Sequence, residues 1–265
     1  MTDPRAPTSG APAGNRPAGG PPPVPDLSRH ALFLDFDGTL VDIAPRPDDI
    51  RIPEILPGLL TALDAAAGGA IALVSGRRLA DLRGFLPEFR GVIVGSHGSE
   101  TWPEDAAPAP GLRQPDAGPV RAALRALAAT RAAYLFEEKP AGAVIHFRAD
   151  PALDAEARAA AEAVVAAHPG FALQRAKMAY EIHPAGVSKD RAVARLMDRA
   201  PFRGRVPVFA GDDTTDEPAL GWVRAREGIS VHVGDRPDTA AAWRLDSPAA
   251  LRDWLARAVS VEERG

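Results

Sequence analysis

The stretch DFDGT at residues 35–39 sets two aspartates, Asp35 and Asp37, one residue apart directly after the apolar run ALFL, and follows them with Gly38 and Thr39. A buried strand that ends in paired carboxylates is costly unless a counter-charge meets them. At this spacing one carboxylate and one main-chain carbonyl can point at a single cation while the second carboxylate reaches further out. Gly38 lets the backbone approach a ligand closely, and Thr39 adds a hydroxyl. A helix cap would explain one aspartate but not two. Three further segments supply complementary groups: SGR at 75–77 brings the Ser75 hydroxyl, Gly76 and the Arg77 cation, Lys189 opens a helical pattern, and GDDTTDE at 211–217 adds Asp212, Asp213 and Asp216. Taken singly these have ordinary explanations: an N-cap for Ser75, a surface lysine, an acidic capping turn. Together, each follows an apolar strand or opens a helix.

Such a set suits phosphoryl transfer through a carboxylate nucleophile. Asp35 and a phosphate repel, so a hard cation held by oxygen ligands must offset the charge, and Mg2+ fits that preference. Asp35, Asp37 and Asp212 are the expected ligands, with Asp213 and Asp216 behind them. Asp35 would attack phosphorus to give an aspartyl-phosphate, dividing one hard step into two. Ser75 and Lys189 would hold the phosphoryl oxygens where charge accumulates. Asp37 would protonate the leaving oxygen and later take a proton from water.

The elements that must position these groups are legible. The runs ALFLD (31–35), AIALVSGR (70–77) and VPVFAGDD (206–213) stop abruptly in polar or glycine residues, as strands buried on both faces do. Helical patterns lie between and after them: IPEILPGLLTALDAAA, KDRAVARLMDRA and SPAALRDWLARAV. Alternating strands and helices predict a doubly wound α/β core whose ligands gather at the carboxyl ends of its strands. The middle of the chain differs. Val120, Ala123, Leu124 and Leu127 recur at helical spacing, as do Leu153, Ala157, Ala161, Val164 and Val165 before a Pro-Gly stop. Around them YLFEEK (134–139), AVIHFR (143–148) and KMAYEIH (177–183) alternate like strands covered on one side. Residues 108–183 are therefore expected as an inserted α+β cap domain, with 28–107 and 184–262 as the discontinuous core. If Tyr134, Phe136, Ile145, Phe147, Met178, Tyr180 and Ile182 face the helices, then Glu137, Lys139, His146, Arg148, Lys177 and Glu181 share the other face. That face reads either as a solvated sheet surface or as a ligand surface.

Composition narrows the partners. The 265 residues carry 31 Lys and Arg against 35 Asp and Glu, a net charge of −4, which offers no basic footprint for nucleic acid or an anionic membrane. The absence of cysteine excludes disulfides, thiolate metal sites and a cysteine nucleophile. Residues 1–27 are rich in Pro, Ala and Gly without a signal-like apolar run, and are expected to be a disordered tail. No stretch approaches the roughly 18 apolar residues of a membrane helix. A cytoplasmic, monomeric protein acting on a small molecule is expected.

In order along the chain, DFDGTL, SGR, Lys189 and GDDTTDE resemble the motifs of the haloacid-dehalogenase superfamily of phosphohydrolases. GSHGSE (95–100), EEK with HFR (137–148), EIHPAGVSK (181–189), and VPVFAGDDTTDE followed by ISVHVG and AAWRL narrow the resemblance to its trehalose-6-phosphate phosphatase family, over about residues 30–257. The resemblance implies a Rossmann-like core, a mobile cap closing over a disaccharide, Mg2+, and hydrolysis of trehalose 6-phosphate as the last step of trehalose synthesis. It implies contacts to the distal glucose at Glu137, Lys139 and Glu181, with His146 and Lys177 beside them, and contacts at Arg77, His97 and Glu100 on the core side, joined by Gly38, Thr39 and Gly76 around the phosphate. Asp190 after Lys189 and Pro140 after Lys139 depart from the family's small residues there. A phosphatase for sucrose phosphate or mannosylglycerate phosphate, a phosphomutase, and an idle sugar-phosphate-binding regulator are the competing readings.

Overall fold

The computed structural model describes residues 20–44, 46, 49–103, 106, 115–139, 141–176 and 178–262. In chain order the core begins with β1 (His30–Leu34), α1 (Ile55–Ala66), β2 (Ile71–Val74), α2 (Leu79–Phe85), β3 (Val92–Gly95) and β4 (Glu100–Trp102). A second unit follows, made of α3 (Gly118–Ala128), β5 (Leu135–Lys139), β6 (Gly142–His146), α4 (Asp154–Ala167), β7 (Phe171–Ala176) and β8 (Ala179–Pro184). The chain then returns through α5 (Lys189–Met197), β9 (Val206–Gly211), α6 (Glu217–Arg224), β10 (Ile229–Val233), β11 (Trp243–Leu245) and α7 (Pro248–Glu262).

Among the described residues the core strands form one seven-stranded sheet in the order β11-β10-β9-β1-β2-β3-β4. All its neighbours pair parallel except β3 with β4. Strands β1, β2 and β9 carry the predicted apolar runs, and every residue of β2 and β3 is buried, as a sheet covered on both faces requires. Helices α1 and α7 pack on each other and α5 packs on α6. Phe33 stacks on Phe202 at 5.3 Å between ring centroids within this core. Helix α7 is started by Ser247, whose hydroxyl accepts the Ala250 N–H at 3.2 Å.

The second sheet is antiparallel, in the order β5-β6-β8-β7. Its apolar face, with Tyr134, Ile145, Phe147, Tyr180 and Ile182 buried, meets Val120 and Leu124 of α3 and Ala157 and Ala161 of α4. Phe147 stacks on Tyr180 at 5.6 Å. Phe136 and Met178 pack at the margin of the same cluster. Arg148 departs from expectation. Strand β6 ends at His146, the chain turns with the Asp150 N–H donating to the Phe147 carbonyl at 3.1 Å, and Arg148 lies exposed in that turn.

The expected disordered tail is corrected at its inner end. Residues 1–19 lie outside the described residues, but Pro22, Pro25 and Leu27 are buried. The indole N–H of fully buried Trp254 points at the Pro22 and Pro23 carbonyls, each 3.3 Å away, and Leu27 belongs to the main core. A proline-rich segment needs no ladder of its own to dock, since it lacks most of the donors a ladder would use. Leu27→Ala is expected to lower stability by about 2–5 kcal/mol in urea unfolding. A neutral substitution would mean that this segment does not dock.

Candidate active site

The sheet order sets the place of the site. From β1 the chain proceeds to β2 on one side, whereas β9 on the other side leads away to β10. The carboxyl ends of β1 and β9 therefore flank a crevice of the kind where open α/β sheets bind ligands. The register Leu34↔Ala210 puts Asp35 and the start of GDDTTDE side by side, and Leu34↔Leu73 brings Ser75 to the opposite flank of Asp35. Lys189 enters as the first residue of α5, reaching the same end.

Four charged groups meet there. The Lys189 ammonium, 3% exposed, donates to Asp35 Oδ1 at 2.8 Å and to Asp216 Oδ1 at 2.6 Å. The other Asp216 oxygen accepts the main-chain N–H groups of Asp212 at 3.1 Å and Asp213 at 3.0 Å. Asp216 thus fixes both the lysine and the loop that carries Asp212. The Thr39 hydroxyl lies 3.3 Å from Asp35 Oδ2 and 3.1 Å from Asp212 Oδ1, between the two carboxylates. Asp35, Asp212 and Asp216 each offer an oxygen within 4.8 Å of the others.

Three carboxylates face one ammonium, and the acidities record the imbalance. Burial, then the Asp216 charge, pushes the Asp35 carboxyl well above the usual range, and Lys189 offsets this only in part. Burial followed by the charges of Asp216 and Asp213 lifts Asp212 to about 6. Burial alone would depress Lys189, but the two carboxylates beside it outweigh burial and hold its pKa up. An all-oxygen donor set with surplus negative charge fits a hard divalent cation. Asp216 already takes three donors, from Lys189 and two amides, whereas Asp35 takes two and Asp212 one, so Asp35 and Asp212 have more capacity left for such an ion.

Gly38 is required by this crowding. Its φ is +71°, and a Cβ there would stand 2.1 Å from Asp212 Oδ2. Asp37 points elsewhere: its carboxylate is gripped by Arg77, with Nε at 2.5 Å and Nη2 at 2.8 Å, and the guanidinium lies over the Phe85 and Phe36 rings at 5.1 and 5.9 Å. Any cation contact from Asp37 in this arrangement falls to its main-chain carbonyl. Asp213 turns outward, accepting Thr214 N–H at 2.6 Å and lying 3.5 Å from Arg236.

The loop after β3 aims a side chain across the crevice. Ser96 and His97 hold φ of 46° and 56°, an arrangement that non-glycine residues keep only when neighbours over-determine it. Ser96 N–H donates to the Arg77 carbonyl at 2.7 Å and His97 N–H to the Ser75 carbonyl at 3.0 Å. Glu100 accepts the Ser96 hydroxyl at 2.5 Å and the Leu79 N–H, at the start of α2, at 3.2 Å. Its structural task is thus to brace this loop. His97 passes over Gly76, where a Cβ would meet its ring at 2.5 Å, and brings Nε2 to 3.5 Å from Glu181 Oε2 of the second sheet. The Ser75 hydroxyl accepts the Arg77 N–H at 3.2 Å.

On the polar face of that sheet Glu137 joins Lys139 at 2.6 Å and His146 at 2.8 Å. The His146 hydrogen bond, working against burial and aided by Lys139, draws Glu137 down to about 2. Burial alone would raise Glu181, and the His97 contact with the nearby Lys139 and His183 outweighs it, holding the carboxyl below its usual value. The register adds His183 and Gln174 to this face, neither of which the sequence pattern singled out. Lys177 and Pro140 lie outside the described residues. Between the sheets a cavity of about 120 Å³ is lined by Lys189, Ser188, His97, Thr214, Thr215 and Gln174 among others.

A family model described as trehalose-phosphatase matches residues 33–249. The chain belongs to the trehalose-phosphatase family. It is 37% identical to a probable trehalose-phosphate phosphatase of Sinorhizobium fredii over 87% of this chain and 88% of that one, and 35% identical to the trehalose-6-phosphate phosphatase of Escherichia coli over 88% of each. Among solved structures, the C-terminal domain of the C. albicans trehalose-6-phosphate phosphatase superposes with a TM-score of 0.70 at 18% identity, over 92% of this chain and 99% of that one, a likeness of fold. Within this trehalose-phosphatase chain, the Arg77 grip on Asp37 and the central place of Asp216 also lay beyond sequence reasoning. Gly38→Ala is expected to displace Asp212 and to lower release of phosphate about a hundredfold, since an ångström of misplacement suffices for that. The divalent cation concentration needed for half-maximal activity should rise with it, and an unchanged requirement would refute the role given to Gly38.

Proposed function

We propose that this chain hydrolyses trehalose 6-phosphate to trehalose and inorganic phosphate, completing trehalose synthesis, with Asp35 as the nucleophile. The observation that carries the reading is the buried Lys189–Asp35 contact beside Asp212 at the crevice between β1 and β9. Family membership supplies the substrate.

Mg2+ held by Asp35, Asp212 and the Asp37 carbonyl would supply the positive charge that lets a carboxylate approach an anionic ester. Lys189 and the Ser75 hydroxyl hold phosphoryl oxygens, Lys189 doing so from the position where it already touches Asp35. An Asp35 oxygen bonds to phosphorus as the bond from phosphorus to the sugar oxygen breaks. Asp37, freed at one oxygen from Arg77 and protonated there before the step, gives that proton to the leaving oxygen and is left as the carboxylate. Water then attacks the aspartyl-phosphate, its proton passes to Asp37, and phosphate leaves with Asp35 restored. The 108–183 segment acts as the cap, with Glu137, Lys139, His146 and Glu181 directed at sugar hydroxyls and His97 and Arg77 on the core side. Its cavity of about 120 Å³ is below the roughly 300–1,000 Å³ of ordinary ligand pockets, so the cap lifts to admit a disaccharide.

Among the described residues no helix is long and apolar enough to cross a membrane. The net charge of −4 favours a small-molecule partner over nucleic acid or an anionic lipid surface. With Mg2+ present, trehalose 6-phosphate should be turned over faster than sucrose 6-phosphate or glucose 6-phosphate at equal concentration, and EDTA should stop the reaction until Mg2+ is restored. Equal turnover of all three esters would reject the substrate. Asp35→Asn should lower turnover by at least about 10⁴ while trehalose 6-phosphate still binds in calorimetry. An active variant would overturn the nucleophile.

A further inference from the structure

We propose that Gln174 reads adjacent hydroxyls on the phosphate-bearing ring of the substrate, and so helps to set specificity at the proximal end of the site. The inference deepens the sugar-phosphate reading above and rests on it for the class of ligand.

Gln174 stands on β7 directly opposite Glu181 of β8, which puts both side chains on the sheet face turned toward the core. Its neighbour Arg175 also borders the cavity, but its guanidinium turns to the other face, donating to Asp154 at 2.8 Å and to the Tyr180 hydroxyl at 3.3 Å. Gln174 has no such occupation: its amide nitrogen is buried and has no hydrogen-bond partner. A buried donor left unpaired is destabilising, so its retention asks for a partner that arrives from outside. The cavity it lines gives the address. Lys189 and Ser188 at the head of α5, and Thr214 and Thr215 after β9, form the opposite wall, and His97 stands beside it. This is the end of the site where the phosphoryl group is held. The ring within reach is therefore the one that carries the phosphate, rather than the distal ring that Glu137, Lys139 and Glu181 would meet. A carboxamide donates two hydrogen bonds and accepts at its oxygen, and Glu181 on the neighbouring strand only accepts when ionised. The Gln174 amide by itself therefore matches two adjacent hydroxyls, one accepting from its nitrogen while the other donates to its oxygen.

The test uses Gln174→Met, which keeps the volume and removes the amide. Three quantities are compared with the wild type, with Mg2+ present: the affinity for glucose 6-phosphate and for inorganic phosphate by calorimetry, kcat/KM for trehalose 6-phosphate, and the urea midpoint. Loss of the amide is expected to weaken glucose 6-phosphate and to lower kcat/KM by similar factors, about ten- to a hundredfold. Phosphate affinity should be unchanged, and the urea midpoint unchanged or higher because an unpaired buried donor has gone. A merely structural Gln174 would lower the midpoint and weaken phosphate as well, and that result overturns the proposal. So does a loss confined to trehalose 6-phosphate, which would assign Gln174 to the distal ring, or a wild type that does not bind glucose 6-phosphate. Failure of the substrate reading is seen separately, as a wild type that does not hydrolyse trehalose 6-phosphate, while the glucose 6-phosphate and phosphate affinities still decide the role of Gln174.

Discussion

Three carboxylates held within 4.8 Å of one another, with one lysine among them, are the constraint from which the rest of the site follows. Buried charge survives only when it is paired and hydrogen-bonded. Asp216 meets that condition within the chain, taking three donors on two oxygens. Asp35 and Asp212 meet it only in part, through Lys189 and one shared threonine hydroxyl. The chain thus keeps one carboxylate satisfied as a strut and leaves two under-compensated, and the two lie at the ends of the strands where the direction of winding reverses. Gly38 with its positive φ and the deep burial of Lys189 are the local consequences of that crowding.

The segment from Ser75 to Leu79 links this cluster to the second sheet. The Arg77 side chain grips Asp37, while the Arg77 carbonyl accepts Ser96 N–H and the Ser75 carbonyl accepts His97 N–H. The left-handed pair Ser96–His97 is therefore strapped to the same five residues that hold the Asp37 carboxylate. Glu100 completes the strap by joining Ser96 to the start of α2. A shift of His97 and a loosening of Arg77 act on one short piece of backbone.

What the sequence made legible was local. The apolar runs ending in Asp35, Ser75 and Asp212 announced buried parallel strands because a strand covered on both faces needs no alternation. The period of two in 134–148 and 178–182 sorted the second sheet into an apolar and a polar face, since side-chain direction follows position alone. Strand β7 escaped notice because FALQRA places only Phe171 and Leu173 on its apolar face, too few for a pattern, and Gln174 and its pairing with Glu181 went with it. The Asp37–Arg77 grip joins residues 40 apart, and the Asp216–Lys189 contact joins residues 27 apart, so neither leaves a trace in spacing. Composition misled at 22–27, where proline content suggested disorder and the Trp254 indole supplies an anchor more than 200 residues away.

The two glutamates of the polar sheet face are kept low in pKa by different means, and the difference bears on how the sheet can move. Glu137 is paired with His146 and Lys139 of its own sheet, so its charge is compensated wherever that sheet goes. Glu181 is nearly buried and leans on His97, a core residue, for the contact that outweighs its burial. If the sheet lifts, Glu181 loses that partner and gains water in the same motion, an exchange that leaves its charge solvated instead of stranded. Such a motion would change the compensation of Glu181, whereas Glu137 would keep its partners. The compensation of Glu137 is thus a property of the second sheet alone, and that of Glu181 belongs in part to the contact between the sheet and the core.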